Sequence, residues 1–201
     1  SIINRLPLRF TYDNNYFNDT YQGLPIEGYT KLVENMLTHE NINVVLNTRY
    51  EKHVFAPMRK TLYCGPIDEF FDYQLGKLEY RTLKFETESL PVDNFQGCPV
   101  MNYTSHDVPF TRILEYKHFL HDESRFTIIT REYPKTWQPG DEPYYPVNDD
   151  KNTELYKQYV ALAYEHESDV IFGGRLGLYK YYDMDKAIDA AMVFADAEIW
   201  L

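Results

Sequence analysis

Hydrophobic and polar positions alternate in different ways along the chain, and the changes mark its elements. From Ile2 to about Tyr21 no period is sustained. Asp, Asn, Arg and Tyr are dense there, which reads as a functional loop or loop-and-strand segment. Leu32, Val33, Met36 and Leu37 then recur at helical spacing, predicting a helix that starts near Gly28 or Thr30 and ends near His39. Ile42, Val44, Val45 and Leu46 predict a short strand, and residues 61–64 another before the turn Gly65-Pro66. From Leu78 to about Val92 the alternation has period two, the pattern of an antiparallel strand with one covered face, and residues 95–103, 111–119 and 126–133 repeat it. A polar, Pro-rich connection over 137–150 leads into a helix over 151–165, with Leu155, Val160 and Leu162 directed inward. Val170, Ile171 and Phe172 predict a buried strand running into Gly173-Gly174. A last helix over 183–196 carries Ile188, Ala191, Met192 and Ala195 on one face. The fold class is α/β in the broad sense, an α+β mixture with an antiparallel sheet in mid-chain.

Composition narrows the function. The chain has 201 residues, opens at Ser1 and is 44% apolar and 25% charged, within the globular range. Twenty basic against 31 acidic residues leave a net charge of −11, which disfavours general nucleic-acid binding and requires any bound anion to be met by local positive groups. No apolar run is long enough to cross a bilayer and no signal-peptide pattern opens the chain, so the expectation is a soluble, cytoplasmic protein without a membrane partner. Cys64 and Cys98 read as reduced, packed thiols. Nineteen tyrosines are unusual, and each offers a flat ring and a hydroxyl, a combination that stacks on sugars, bases and flavins while reaching a phosphate oxygen. His106, His118 and His121 have no metal-ligand spacing and are assigned to surface and packing. The acidic pairs Asp68-Glu69 and Asp149-Asp150 read as solvated turns.

The run GRLGLYKYYDMD at 174–185 joins a strand end to a helix start, with glycines that allow close approach of a ligand, helix N–H groups that favour negative charge, and Arg175, Lys180, Tyr179, Tyr181 and Tyr182 alongside. Without a ligand it is equally a tight turn with surface charges. This run resembles the carboxy-terminal flavin and substrate motif of the UDP-galactopyranose mutase family. Four further segments are similar and in the same order: RLPLRFTYDNNYFNDTYQGLP at 5–25, GPIDEFFDYQLGKLEYRTLKFE at 65–86, VPFTRILEYKHF at 108–119 and EYPKTWQPGDEPYYP at 132–146.

The resemblance implies an isomerase that interconverts UDP-galactopyranose and UDP-galactofuranose, through a covalent adduct on reduced FAD and with no net redox. It also implies a discontinuous FAD-binding domain, a helical domain and an antiparallel sheet domain. On this chain they fall as a mobile substrate loop and the end of the helical domain (1–40), part of the FAD domain (41–77), the sheet domain (78–150) and the carboxy-terminal part of the FAD domain (151–201). The family's glycine-rich ADP-binding turn has no counterpart here, so the chain is expected to match the carboxy-terminal half, with the amino-terminal half needed for a full FAD site. A homodimer is a family expectation.

By resemblance, Arg5 and Arg112 are the catalytic arginines that hold the diphosphate, with Arg9 as the near neighbour of Arg5. Tyr16, Phe17, Tyr145, Tyr181 and Arg81 bind substrate, with Tyr144 an alternative to Tyr145 and an ion pair an alternative for Arg81 and Arg112. Gly174, Arg175, Tyr181, Asp183 and Met184 lie against the flavin, and no metal is involved. Guanidinium groups suit a departing diphosphate because their planar fork pairs with phosphate oxygens and stays charged. A sugar-nucleotide binding module without catalysis, and a related FAD-dependent oxidoreductase, are the competing readings.

Overall fold

Two sheets and six helices make up the part of the chain described by the computed structural model, residues 10–12, 15, 18–52, 54, 59–120 and 122–199. The α/β class is as expected. One sheet is a parallel pair, β1 (Thr61–Tyr63) beside β7 (Val170–Phe172), with Leu62 opposite Ile171. A parallel pair needs a long crossover, and more than a hundred residues, including the whole second sheet, lie between these strands. After β1 the turn Gly65-Pro66 leads into the short helix α2 (Ile67–Phe70), and α4 (Asp150–His166) precedes β7.

The core forms where α2, α4 and the first sheet meet, from Ile67, Phe70, Phe71, Leu78, Tyr80, Tyr159 and Tyr179. It is aromatic and geometrically specific: the Phe70 ring meets Phe172 edge-on at 5.0 Å, and Phe71 stacks on Tyr159 at 5.9 Å. Buried tyrosines need partners for their hydroxyls. Tyr159 donates to the Gly76 carbonyl at 2.6 Å and accepts from the Leu75 N–H at 3.2 Å. Asp68 is not the solvated turn residue that its neighbour Glu69 suggests. It is fully buried, and its carboxylate accepts from the Leu78 N–H at 2.9 Å and the Tyr80 hydroxyl at 3.1 Å. Burial pushes its pKa up, and those bonds act against the rise.

The second sheet is antiparallel, in the order β3 (Val100–Asn102), β4 (Arg112–Glu115), β5 (Thr127–Thr136), β2 (Tyr80–Leu90), β6 (Tyr145–Pro146). Its long pair runs from Arg81 opposite Thr136 to Leu90 opposite Thr127. Two of the predicted strands are shorter than their patterns. Residues 91–99 bend away because the buried Glu115 carboxylate accepts the Phe95 and Gln96 N–H groups at 2.9 and 2.8 Å. The 111–119 run stops being strand at Glu115, and Lys117–Leu120 form the helical turn α3.

Five further expectations are corrected. Ile42 to Leu46 form no strand, and Ile42, Val44, Val45 and Leu46 are 43–77% exposed. A β-branched run becomes strand only where a ladder partner exists, and none pairs with it among the described residues. The first helix, α1 (Gly28–Met36), is preceded by Glu27, which makes no side-chain cap. In α4 the buried residues are Asn152 and Tyr159, with Leu155 and Leu162 half-buried and Val160 turned outward. In α6 (Met184–Ile199) the half-buried positions are Ala187, Ala190 and Phe194, so the covered face is rotated from the Ile188–Met192 stripe, which is exposed. Cys64 is an exposed free thiol rather than a packed one, and Cys98 is half-buried. No described helix is long and apolar enough to cross a membrane.

Candidate functional site

Side chains of directly opposed residues in an antiparallel sheet point to the same side, as do residues two apart along a strand. Arg112 on β4 is opposite Glu132 on β5, which is opposite Phe85 on β2; Arg81 on β2 is opposite Tyr145 on β6. Phe85, Leu83 and Arg81 alternate onto one face. The register therefore places Arg112, Glu132, Phe85, Arg81 and Tyr145 on a single face, spread over about 14 Å along the strands and about 14 Å across them. Arg131, Tyr133 and Lys84 belong to the opposite face, where Arg131 pairs with Glu88 at 2.5 Å.

Arg112 is half-exposed and oriented by its neighbours. Its Nε donates to Asn102 Oδ1 at 3.0 Å, and its terminal nitrogen lies 3.7 Å from the Glu132 carboxylate, which is nearly buried. The cross-strand ion pair weighed for Arg112 is thus present, and the guanidinium still reaches solvent on the shared face. Neither Asn102 nor Glu132 was singled out in the sequence. Their signal is register, Asn102–Arg112–Glu132 being three residues in line across three strands. Arg81 is exposed on the same face, and Tyr144 stands edge-on to Phe85 at 5.8 Å.

The GRLGLYKYYDMD segment wraps the β6 edge of this face. It opens with one helical turn, α5 (Gly174–Gly177), and Gly174 takes φ +68°, a conformation that suits glycine. Gly177 is required by contact: a Cβ there would lie 2.9 Å from the Tyr63 carbonyl oxygen. Tyr179 then takes φ +47°, reversing the chain. Its hydroxyl is turned into the protein: it donates to the Glu79 carbonyl at 2.6 Å, and its ring stacks on Tyr156 at 5.7 Å. Burial pushes this phenol's pKa up.

The reversal returns Tyr181 and Tyr182 over α5. Tyr181 stacks on Tyr145 with ring centroids 5.5 Å apart and planes 23° from parallel. The Arg175 guanidinium lies 5.3 Å from the Tyr145 ring and 5.1 Å from the Tyr181 ring, and donates to the carbonyls of Tyr144, at 3.1 Å, and Tyr182. The Tyr181 phenol is pushed up by burial and by Asp183, with Arg175 acting in the opposite sense. Asp183 precedes α6 and its carbonyl accepts the Ala187 N–H at 2.9 Å, so the amides of Met184 to Lys186 are the unpaired first-turn donors of that helix. Gly174, Arg175, Tyr181, Asp183 and Met184 are therefore neighbours in one turn of chain, continuous through Tyr145 with the sheet face that carries Arg81 and Arg112. Arg5, Arg9, Tyr16 and Phe17 lie outside the described residues.

A parallel strand pair with glycine turns at its carboxyl ends, joined to an antiparallel sheet bearing arginines and tyrosines on one face, defines an α/β protein. The family profile of UDP-galactopyranose mutase matches residues 1–181, and the chain belongs to that family. Among curated proteins it is 44% identical to a protein of Klebsiella pneumoniae named a probable UDP-galactopyranose mutase, over 98% of this chain and 51% of that one. It is 38% identical to the dTDP-fucopyranose mutase of Escherichia coli, over 99% of this chain and 54% of that one. It is likewise 38% identical to the UDP-galactopyranose mutase of Mycoplasma pneumoniae, over 98% and 53%. The chain spans about half the length of these relatives.

Proposed function

We propose that the protein to which this chain belongs interconverts UDP-galactopyranose and UDP-galactofuranose as an FAD-dependent mutase without net redox. The observation that carries the reading is the single sheet face: Arg112, Arg81 and Tyr145 on one side, with Tyr145 stacked on Tyr181. Arg112 and Arg81 supply fixed positive charge to the diphosphate as it leaves the anomeric carbon and returns to it, and the hydroxyls of Tyr145 and Tyr181 donate to its oxygens. In a chain of net charge −11 these local cations are what allows a dianion to settle. Arg5, Tyr16 and Phe17 join them on family resemblance alone, as further substrate residues.

The residues also fit a flavin. The α6 start has free N–H donors at Met184 to Lys186 and Arg175 is half-buried beside it, while Gly174, at φ +68°, makes the turn before them and packs against Cys64. A positive helix end and a guanidinium favour an anionic ring by about 1 kcal/mol or more when shielded from water. When bound, reduced FAD supplies the nucleophile toward the sugar's anomeric carbon. The chain's residues hold the diphosphate, orient the hexose and keep water off the reacting carbon.

The test is conversion of UDP-galactofuranose to UDP-galactopyranose by the reduced, intact gene product, followed by chromatography. Arg112→Ala should slow turnover on the order of a hundredfold, about 3 kcal/mol of transition-state stabilisation. Unchanged turnover would refute the assignment. Stoichiometric consumption of reductant would point instead to an oxidoreductase, and UDP binding by flavin-free protein to a binding module.

A further inference from the structure

Arg175 makes more contacts with substrate-side tyrosines than a residue devoted to the cofactor needs. Its guanidinium bridges two backbone carbonyls from segments far apart in sequence, that of Tyr144 before β6 and that of Tyr182 before α6. It also stands within 5.3 Å of both stacked rings, Tyr145 and Tyr181. The two rings come from different elements and share no backbone ladder, so their separation of 5.5 Å is set by what ties the segments together. On the α6 side the tie begins at Tyr179, whose positive φ and anchored hydroxyl fix where the chain turns back. On the β6 side it is the pairing of Tyr145 with Arg81. Arg175 is the group that touches both.

We infer that Arg175 is a positioning residue that fixes the spacing of the Tyr145 and Tyr181 rings, so that their two hydroxyls meet the diphosphate of the sugar nucleotide together. The inference rests on the reading of this site as a diphosphate site. Only a planar guanidinium fits the role: one edge reaches the Tyr144 carbonyl and another the Tyr182 carbonyl, while the face stays available to the rings. A lysine retains the charge and can satisfy one carbonyl, but it cannot span both.

The experiment is a double-mutant cycle read by calorimetric titration of UDP into the intact gene product, with flavin content per chain and the near-UV circular dichroism of the tyrosines measured alongside. Arg175→Met should weaken UDP binding about tenfold in the native background, and less than about twofold in a Tyr145→Phe/Tyr181→Phe background, because the hydroxyls it positions are already gone. Arg175→Lys, the variant more certain to fold, should retain part of the affinity, with a loss of about fivefold and a changed near-UV signal. Equal losses from Arg175→Met in both backgrounds would overturn the positioning role while leaving the diphosphate site in place. If Tyr145→Phe/Tyr181→Phe itself left UDP affinity unchanged, the reading of the site would fall and the inference with it.

Discussion

Replacing Glu115 by Gln tests how the edge of the substrate-facing sheet is held. The Glu115 side chain is fully buried at the end of β4, three residues from Arg112. Burial alone would raise its pKa. Hydrogen bonds from the Gln96 and Phe95 N–H groups and the Thr127 hydroxyl, with His118 Nε2 3.1 Å away, outweigh burial and hold the carboxyl at about 2. Against an ordinary glutamate at 4.5, that difference corresponds to about 3 kcal/mol of folding stability. Because the folded pKa is the depressed one, this stability is fully present above about pH 4.5 and is lost as pH falls toward 2. Gln keeps the shape but turns an amide N–H₂ toward groups that are themselves donors, leaving at least one buried donor unpaired. Urea unfolding followed by circular dichroism from pH 7 to pH 2.5 should show Glu115→Gln less stable at pH 7 by about 2–3 kcal/mol. The gap between the two proteins should close as the acid is increased. A loss below about 0.5 kcal/mol at pH 7, or a gap independent of pH, would refute the reasoning.

Tyr159→Phe removes the hydroxyl that joins Gly76 to Leu75 and should cost about 1–3 kcal/mol in the same assay, whereas Val160→Lys, one residue away on the exposed side, should stay within about 0.5 kcal/mol. Gly177→Ala places a methyl 2.9 Å from the Tyr63 carbonyl oxygen with backbone on either side, and should lower the melting temperature by several degrees, for a cost of about 1–3 kcal/mol; differential scanning calorimetry reads it. If the Gly177→Ala protein melted with the native one, α5 would not be seated on β1.

Much of this architecture was legible from periodicity. The alternation over 78–92 is one long strand, although its covered face is limited to Tyr80 and Thr82 and residues 84–89 are exposed on both sides, and α4 and α6 lie within a few residues of their predicted spans. What periodicity could not read was partnership. Ile42 to Leu46 have strand composition but no ladder partner among the described residues. Asp68 and Glu115 look like surface carboxylates until the N–H groups that bind them, 10 to 20 residues away, are placed. At the site, residue types and their order marked Arg81, Arg112, Tyr145, Arg175 and Tyr181 individually. Their common face follows from strand register, which a sequence pattern leaves open between partners. Tyr179 shows the same limit: three tyrosines sit within four residues, and only the reversal at φ +47° sorts the buried one from those facing the site.

Titration of UDP into the intact gene product, comparing Arg112→Ala with Arg131→Ala, addresses the single-face arrangement most directly. The two arginines are one residue out of register across neighbouring strands and point to opposite sides of the sheet. Loss of one charged hydrogen-bonding partner corresponds to about 1.5–3 kcal/mol, so Arg112→Ala should weaken UDP binding roughly tenfold to a hundredfold while Arg131→Ala leaves it within a factor of about two. Equal weakening by both substitutions, or by neither, would contradict the account.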